Sequence, residues 1–120
     1  MNKVILMGRL TKDPDVRYRG ETCITRYTLA VDRRFKKDGG QDVDFIPCVV
    51  FGKSAEFSEK YFTKGMRVTV SGRIETGSYE REGKKIYTTE VVVEEQEFAE
   101  SKKEQSEWET VGEQTELPFN

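Results

Sequence analysis

The chain has 120 residues, of which 35% are hydrophobic and 35% are charged, enough for one domain with a small core and a solvated segment. No apolar run approaches the roughly 20 residues of a membrane span, and residues 4–7 are too short for a signal peptide's apolar region, which predicts a cytoplasmic protein. The chain has no histidine, which excludes His-based catalytic triads and the usual zinc ligand sets.

The net charge of −2 hides an asymmetry along the chain. Residues 1–93 hold 18 Lys and Arg against 13 Asp and Glu, whereas residues 94–120 hold 2 Lys against 9 Glu. A basic body with an acidic tail is typical of a polyanion-binding domain that carries an anionic appendage. A neutral domain with a solubilising tail would also fit, so charge alone leaves both interpretations open.

The first third of the chain predicts two strands separated by a loop. Residues 3–10 form an apolar run typical of a buried strand, with Gly8 at a bulge or a close backbone approach. The stretch "TKDPDVRYRGET" that follows contains Asp-Pro and Gly, which favour loop and turn. Residues 23–33 alternate, with Tyr27, Leu29 and Val31 on one face, which predicts a strand with that face inward.

Residues 43–51 predict a third strand that is apolar on both faces. The period of two places Phe45, Pro47, Val49 and Phe51 on one face and Ile46, Cys48 and Val50 on the other. Cys48, like Cys23, fits a small buried hydrophobe better than half of a disulfide.

The pattern then changes to a helix over residues 54–64. Ser54 is a candidate N-cap, Phe57 and Tyr61 are four residues apart, and Gly65 follows where a helix end favours glycine.

Two further strands follow the helix. Residues 66–76 alternate, residues 77–85 predict a long charged hairpin tip around Gly83, and residues 86–93 are rich in β-branched residues. The inward face of the first of these strands is expected to carry Val68, Val70, Gly72 and Ile74.

Three strands, a short helix and two strands are the order of the OB-fold, an all-β, five-stranded Greek-key barrel. The helix then lies between strands 3 and 4. Residues 1–98 are expected to form this domain, and residues 99–120, dominated by Glu, Lys, Ser, Gln and Thr, a disordered acidic tail.

The segment "RRFKK" indicates nucleic-acid binding. A solvent-exposed Phe35 among Arg33, Arg34, Lys36 and Lys37 is costly unless a base stacks on its ring while the cations hold phosphates. In the alternative, Phe35 packs back onto the barrel and the cations are simply solvated.

Strand 3 and the hairpin extend this prediction. A small barrel has one interior, so we expect Phe45 and Phe51 to face nucleic acid, with Ile46 in the core or at a subunit contact. A helix or loop covering both faces is the alternative. Tyr79 in the hairpin lies near Arg81 and two lysines, and the remaining candidate DNA contacts are Arg73, Lys84 and Lys85.

An enzyme is not expected. The pairs Asp13/Asp15 and Asp42/Asp44 lie in separate loops, and they fit solvated turn residues better than the converging carboxylates of a metal-dependent nuclease. No phosphate-binding Gly-rich loop, Cys-pair metal site or nucleophile motif is present in the sequence, so we predict no cofactor, metal or catalytic residue. A protein-interaction module on the same fold remains a rival, although it would not explain "RRFKK".

The segments "NKVILMGRLTKDPDVRY", "TLAVDR", "VVFGKSAEFSEKYFTKG" and "YTTEVVVEE" closely resemble the bacterial single-stranded DNA-binding protein family over about residues 1–98. The resemblance implies a homotetramer of OB-folds that coats single-stranded DNA with little sequence preference on the nucleoid. It also implies partners of DNA replication, recombination and repair. The family's stacking aromatics, often Trp, fall on Phe35, Phe45, Phe51 and Tyr79.

The C-terminal "LPF" matches the family again and implies a docking tip for partner proteins formed by Glu116, Leu117, Pro118 and Phe119. The tail departs from the family pattern because its linker is short, its acidic residues are spread out, and Asn120 follows the usual terminal Phe. The terminal carboxylate is thereby displaced from Phe119 onto Asn120. A frayed terminus with chance hydrophobes is the alternative.

Overall fold

The computed structural model of the protein describes residues 1–35 and 42–100. Lys36, Lys37 and the predicted tail from residue 101 onward lie outside the described residues. Within the described ranges the elements are β1 (Val4–Leu10), β2 (Asp15–Arg19), β3 (Thr22–Asp32), β4 (Val43–Phe51), α1 (Lys53–Tyr61), β5 (Arg67–Arg81) and β6 (Lys84–Phe98).

The strands form one sheet that closes on itself. Their order is β1-β5-β6-β4-β3-β2, and β1 pairs in addition with β3. The pairings are antiparallel except between β4 and β6, which run parallel over a short register, with Cys48 opposite Val91 and Val49 opposite Val92. The predicted OB-fold barrel, with its helix after the third barrel strand, is confirmed.

The interior follows the alternation that the sequence predicts. Tyr27 and Leu29 of β3 and Val50 of β4 are buried in one core, together with Val68 and Val70 of β5. Cys48 and Cys23 are buried and free, as predicted. Ile46 is half-buried and packs against this core, so strand β4 turns its even-numbered residues inward.

Helix α1 packs over one end of this core. Thr25 Oγ1 donates a hydrogen bond of 2.9 Å to the carbonyl oxygen of Ala55, which ties the helix to β3. After the helix, Phe62 is buried and meets Tyr27 edge-on, with ring centroids 5.8 Å apart. Fully burying a ring of this size stabilises the fold by about 1.5–3 kcal/mol.

The predicted helix ends are wrong. The helix begins at Lys53, after Gly52 as N-cap, and no side chain caps it; Ser54 lies inside the first turn instead. It ends at Tyr61, and the extended backbone of Phe62 lets that ring turn into the core, so Gly65 is not part of the helix end. The predicted contact between Phe57 and Tyr61 is present, with ring centroids 4.9 Å apart.

The loop predicted between the first two strands is also wrong in part, because Asp15–Arg19 forms strand β2. It pairs with Thr22–Arg26 through a tight turn at Gly20, whose φ is +63°. The segment is exposed along most of its length and lies at the edge of the sheet, so it lacks the buried alternation from which a strand can be predicted.

The β5–β6 hairpin is longer than the sequence predicts. The two strands stay paired to Arg81 and Lys84 and are joined by a two-residue turn in which Glu82 and Gly83 have φ values of +54° and +79°. Positive φ at both residues is typical of the hairpin turn that matches strand twist. Ile74, expected inside, is 45% exposed because the ribbon has left the barrel at that point.

Glycine allows two close backbone approaches in the barrel wall. A Cβ built on Gly8 would lie 2.6 Å from the carbonyl oxygen of Ala30, so the predicted close approach of β1 is confirmed. A Cβ on Gly72 would overlap the carbonyl oxygen of Val92, beside a register shift between Ser71 and Gly72.

We therefore predict that Gly72→Ala lowers the free energy of unfolding by about 1–3 kcal/mol, since backbone cannot move aside without shifting the strand pair. Gly77→Ala, on the same strand, is the matched control. Its Cβ would meet only the Thr88 hydroxyl at 3.3 Å, and that side chain can rotate. Urea unfolding of both variants measures the difference; equal stability would contradict the packing argument.

Candidate nucleic-acid interface

Phe45, Pro47 and Phe51 of β4 form an apolar surface on the outside of the barrel, whereas Val49, predicted on the same face, is only 1% exposed. Phe45 is 57% exposed and Phe51 is 48% exposed, while Pro47 lies exposed between them. Their cross-strand partners on β3 are Ala30, Ile24 and Thr28 respectively. We call this surface, with the neighbouring outward residues of β5 and β6, the outer face.

Pro47 shows why this stretch of strand is open. Proline has no N–H to donate, so in sheets it occupies edges and bulges. Strand β4 pairs with β3 over its whole length but with β6 only at Cys48 and Val49. Pro47 therefore lies where β4 has a partner on one side only.

A groove of about 460 Å³ opens beside this gap. Phe45 and Pro47 contribute its apolar surface, and Arg26 and Glu90 lie across from the loop after β1. The full lining is Thr11, Lys12, Asp13, Asp15, Arg26, Tyr27, Thr28, Phe45, Pro47, Cys48 and Glu90.

Phe35 is 80% exposed, so the alternative in which it packs back onto the barrel is wrong. The guanidinium carbon of Arg34 lies 5.7 Å from the centroid of its ring. One face of an exposed aromatic ring thus carries a cation, as the segment "RRFKK" suggested. Lys36 and Lys37, also predicted here, lie outside the described residues.

Two of the predicted phosphate-binding cations are already engaged with carboxylates. Arg33 donates to Asp44 through Nε and Nη2, the shorter bond being 2.8 Å, and these hydrogen bonds lower the pKa of Asp44. Arg73 lies 3.4 Å from a carboxylate oxygen of Glu75 and 3.5 Å from one of Glu94. These pairs are solvent-exposed, so they are weak enough for another anion to compete.

The hairpin separates the residues that the sequence grouped together. Tyr79 faces the same side as its partner Ile86 and as Lys84, two residues from Ile86. Lys85 lies on the opposite side, where its Nζ is 5.6 Å from the ring centroid of Tyr87. Tyr79 and Lys84 thus share a face, and Lys85 does not belong to it.

The side that carries Tyr79 is continuous with the outer face. The parallel register of Cys48 with Val91 brings Pro47 beside Glu90, and Ile86 lies four residues before Glu90 on the same side of β6. Arg73 joins this face as well, opposite Val92. The structure thus assembles Phe45, Phe51, Arg73 and Tyr79 on one continuous surface.

Sequence reasoning missed Arg26 as a site residue. It lies on the outer face opposite Val49, between the positions of Phe45 and Phe51, and its Nε is 3.7 Å from a carboxylate oxygen of Glu90. The period of two along β3 places Arg26 on the face opposite Tyr27 and Leu29. Its position beside the phenylalanines depends on the β3–β4 register, which the sequence does not show.

The acidic pairs have structural partners. The Asp13 carboxylate accepts a hydrogen bond of 2.8 Å from the backbone N–H of Lys64, and Asp44 holds Arg33. Within residues 1–35 and 42–100, no three His, Cys, Asp or Glu side chains are grouped so that they could hold a metal ion.

The Cys48 thiol, buried below the groove, is unreactive at neutral pH. Burial raises the pKa of Cys48 to about 12, and the nearby negative charge of Glu90 acts in the same direction. The thiol therefore stays protonated at neutral pH and behaves as a small apolar group.

In the part of the chain that the structure describes, no helix has the length and apolar character needed to cross a membrane.

A closed OB-fold barrel that presents exposed aromatic rings among arginines on one sheet face defines the class of single-strand nucleic-acid-binding proteins. Residues 1–99 match the model of the single-strand binding protein family. The chain belongs to this family, whose members are DNA-binding proteins and not enzymes.

Relatives from several bacteria agree. Single-stranded DNA-binding protein 3 of Clostridium acetobutylicum is 53% identical over 103 residues, covering 83% of this chain and 72% of the relative. The single-stranded DNA-binding protein of Clostridium tetani is 50% identical over 109 residues, covering 88% and 75%. That of Fusobacterium nucleatum is 44% identical, covering 85% and 69%.

Proposed function

We propose that the chain binds and protects single-stranded DNA without strong sequence specificity, in the cytoplasm and on the nucleoid, during DNA replication, recombination and repair. The observation that carries the proposal is the exposure of Phe45 and Phe51 on one sheet face with Arg26 between them. Water disfavours such a surface, whereas stacked bases and a phosphate chain complement it.

The proposed DNA path runs over the outer face from Phe35 across Phe45 and Phe51, with Tyr79 as a stacking group on the hairpin arm. Each stacked base contributes roughly 1–3 kcal/mol, and stacking tolerates any base because every base has a π-face. A phenyl ring is smaller than the indole often found in the family, so we expect somewhat less contact area per base.

Arg33, Arg34, Arg73 and Lys84 are proposed to hold phosphates, with Lys36 and Lys37 as further contacts from the sequence prediction. Lys85, also predicted, lies on the other side of the hairpin from Tyr79 and would contact DNA only outside this path. Arg33 and Arg73 must exchange a carboxylate for a phosphate, which reduces their net contribution. Because each bound phosphate releases counterions, affinity is expected to fall as the salt concentration rises.

We propose further that the protein is a homotetramer. Strand β1 pairs with β3 only at Arg9 and Leu10. Within the described chain the edge of residues 4–8 is therefore open on that side, and the outward side chains Ile5 and Met7 of this strand are exposed. An open edge with apolar side chains suits pairing with a second copy.

Titration with dT oligonucleotides of graded length, followed by light scattering, tests both proposals together. We expect a tetramer mass without DNA and a stepwise mass increase with each bound oligonucleotide. A monomer would overturn the assembly, and a mass that no oligonucleotide changes would overturn the DNA-binding function and favour the protein-interaction module.

Phe45→Ala is expected to weaken binding of a dT oligonucleotide by about 1–3 kcal/mol without unfolding the domain, because it removes a stacking ring from an exposed position. Tyr61→Ala is the control, since Tyr61 is an exposed aromatic (47%) on α1 and lies on none of the strands that form the outer face. Fluorescence anisotropy with a labelled oligonucleotide measures both. Unchanged affinity in a folded Phe45→Ala variant would exclude Phe45 from the interface.

The tail is proposed to recruit partner proteins. Glu116, Leu117, Pro118 and Phe119 lie outside the described residues, and the proposal rests on their chemistry. Leucine and phenylalanine suit a partner's apolar pocket, Pro118 limits the entropy lost on docking, and the acidic residues suit a basic rim.

A variant that ends at Phe119 carries its terminal carboxylate beside the ring, and we expect it to bind a purified repair helicase more tightly than a chain that ends at Asn120. Phe119→Ala should abolish the interaction. Calorimetry with the full chain measures both; equal affinity with and without Asn120 would show that the ring and the acidic residues suffice.

A further inference from the structure

The groove beside Phe45 contains a charged group that stacking and phosphate binding do not use. Glu90 is half-buried in its wall, on the side of the outer face that Pro47 occupies. Phosphates repel a carboxylate, so a glutamate at this place opposes the proposed DNA binding unless it contacts something other than the phosphate chain.

The carboxylate of Glu90 can accept hydrogen bonds. Its ion pair with Arg26 measures 3.7 Å, which is beyond hydrogen-bond distance. Glu75 lies directly opposite Glu90 in the β5–β6 ladder. Unlike Glu90, it has a close cation, because its carboxylate oxygen is 3.4 Å from Nη2 of Arg73. Repulsion between the two opposed glutamates favours the orientation of Glu90 toward Arg26 and the groove.

The groove therefore offers an aromatic wall, a hydrogen-bond acceptor and a donor at one place. Phe45 supplies the ring, Glu90 accepts and Arg26 donates. Bases of single-stranded DNA have unpaired Watson–Crick edges, which proteins can read while the base stacks. An ionised carboxylate only accepts, so it matches the exocyclic amine of cytosine, adenine or guanine. In thymine the one ring N–H lies between two carbonyl oxygens, which the carboxylate repels.

Resting on the proposed function, we propose that this groove is a base-reading position: Phe45 stacks one nucleobase, and Glu90 accepts a hydrogen bond from its exocyclic amine. Arg26 is a positioning residue that holds the glutamate toward the groove and balances its charge. The chain then retains broad binding through its other stacking rings and favours an amino-bearing base over thymine at this one position.

The test removes the amine from the base and the acceptor from the protein in one thermodynamic cycle. Affinities are measured by anisotropy for a dC oligonucleotide and for one in which 2-pyrimidinone, which has hydrogen in place of the amine, replaces cytosine. The proteins are the wild type, Glu90→Gln, Glu90→Leu and the control Glu97→Leu, a substitution on the same strand outside the groove.

Loss of the amine is expected to weaken binding by the wild type and by Glu97→Leu about three- to tenfold, near the lower end for a base-edge contact because the site is partly open. Glu90→Leu should bind both oligonucleotides equally. Glu90→Gln should lie between, since a neutral acceptor forms a weaker bond. Thermal melting checks that each variant is folded, and Glu90→Gln, which keeps the shape, gives the answer if Glu90→Leu does not fold.

A dT oligonucleotide separates the two levels of the proposal. Base reading is overturned if the wild type binds dT tightly and if removal of the amine lowers affinity equally in the wild type and in the Glu90 variants. Single-stranded DNA binding would stand in that case. Failure of the wild type to bind dT, dC and the 2-pyrimidinone oligonucleotide overturns both.

Discussion

The pairing of strand β4 with its two neighbouring strands determines which of its side chains are buried and which form the exposed apolar surface. Hydrogen bonds to β3 run along the whole strand, and a short parallel pairing with β6 closes the barrel. A closed barrel has one interior, so Cys48 and Val50 fill it and Phe45 and Phe51 must face outward. The apolar outer surface is a geometric consequence of an unbroken apolar run from Phe45 to Phe51 in a strand whose interior side already holds Ile46, Cys48 and Val50.

Charge on the outer face is balanced within the protein. Arg26, Arg33 and Arg73 each lie beside a carboxylate, so the surface has cations in fixed places without a strongly positive field. Such ion pairs orient the guanidinium groups before a ligand binds. They also weaken ligand binding, because the free energy of each ion pair is lost when its carboxylate is displaced. We therefore expect stacking on Phe45 and Phe51 to contribute a large share of the proposed affinity.

Periodicity predicted the barrel strands, most inward residues and the exposed Phe45 and Phe51, because alternation follows directly from burial on one side; Ile74 and Val49 are exceptions. It failed where burial gives no signal. The mostly exposed strand β2 was predicted as a loop, and residues 77–85 of the β5–β6 ribbon were predicted as a hairpin tip. The helix begins at Lys53 without a capping side chain, so the prediction of Ser54 as its N-cap was wrong. The pairs Arg33–Asp44 and Arg26–Glu90 join residues that are distant in the sequence, and only the pairing of the strands brings them together.

The β5–β6 ribbon beyond Glu75 and Glu90 has no core beneath it, since its residues are exposed up to the turn at Glu82 and Gly83. Its ladder is therefore expected to open locally, with its backbone amides exchanging with solvent at a lower free energy than those of the barrel wall. The arm that carries Tyr79 can thus adjust its path to a chain of irregular shape while Phe45 and Phe51 stay fixed.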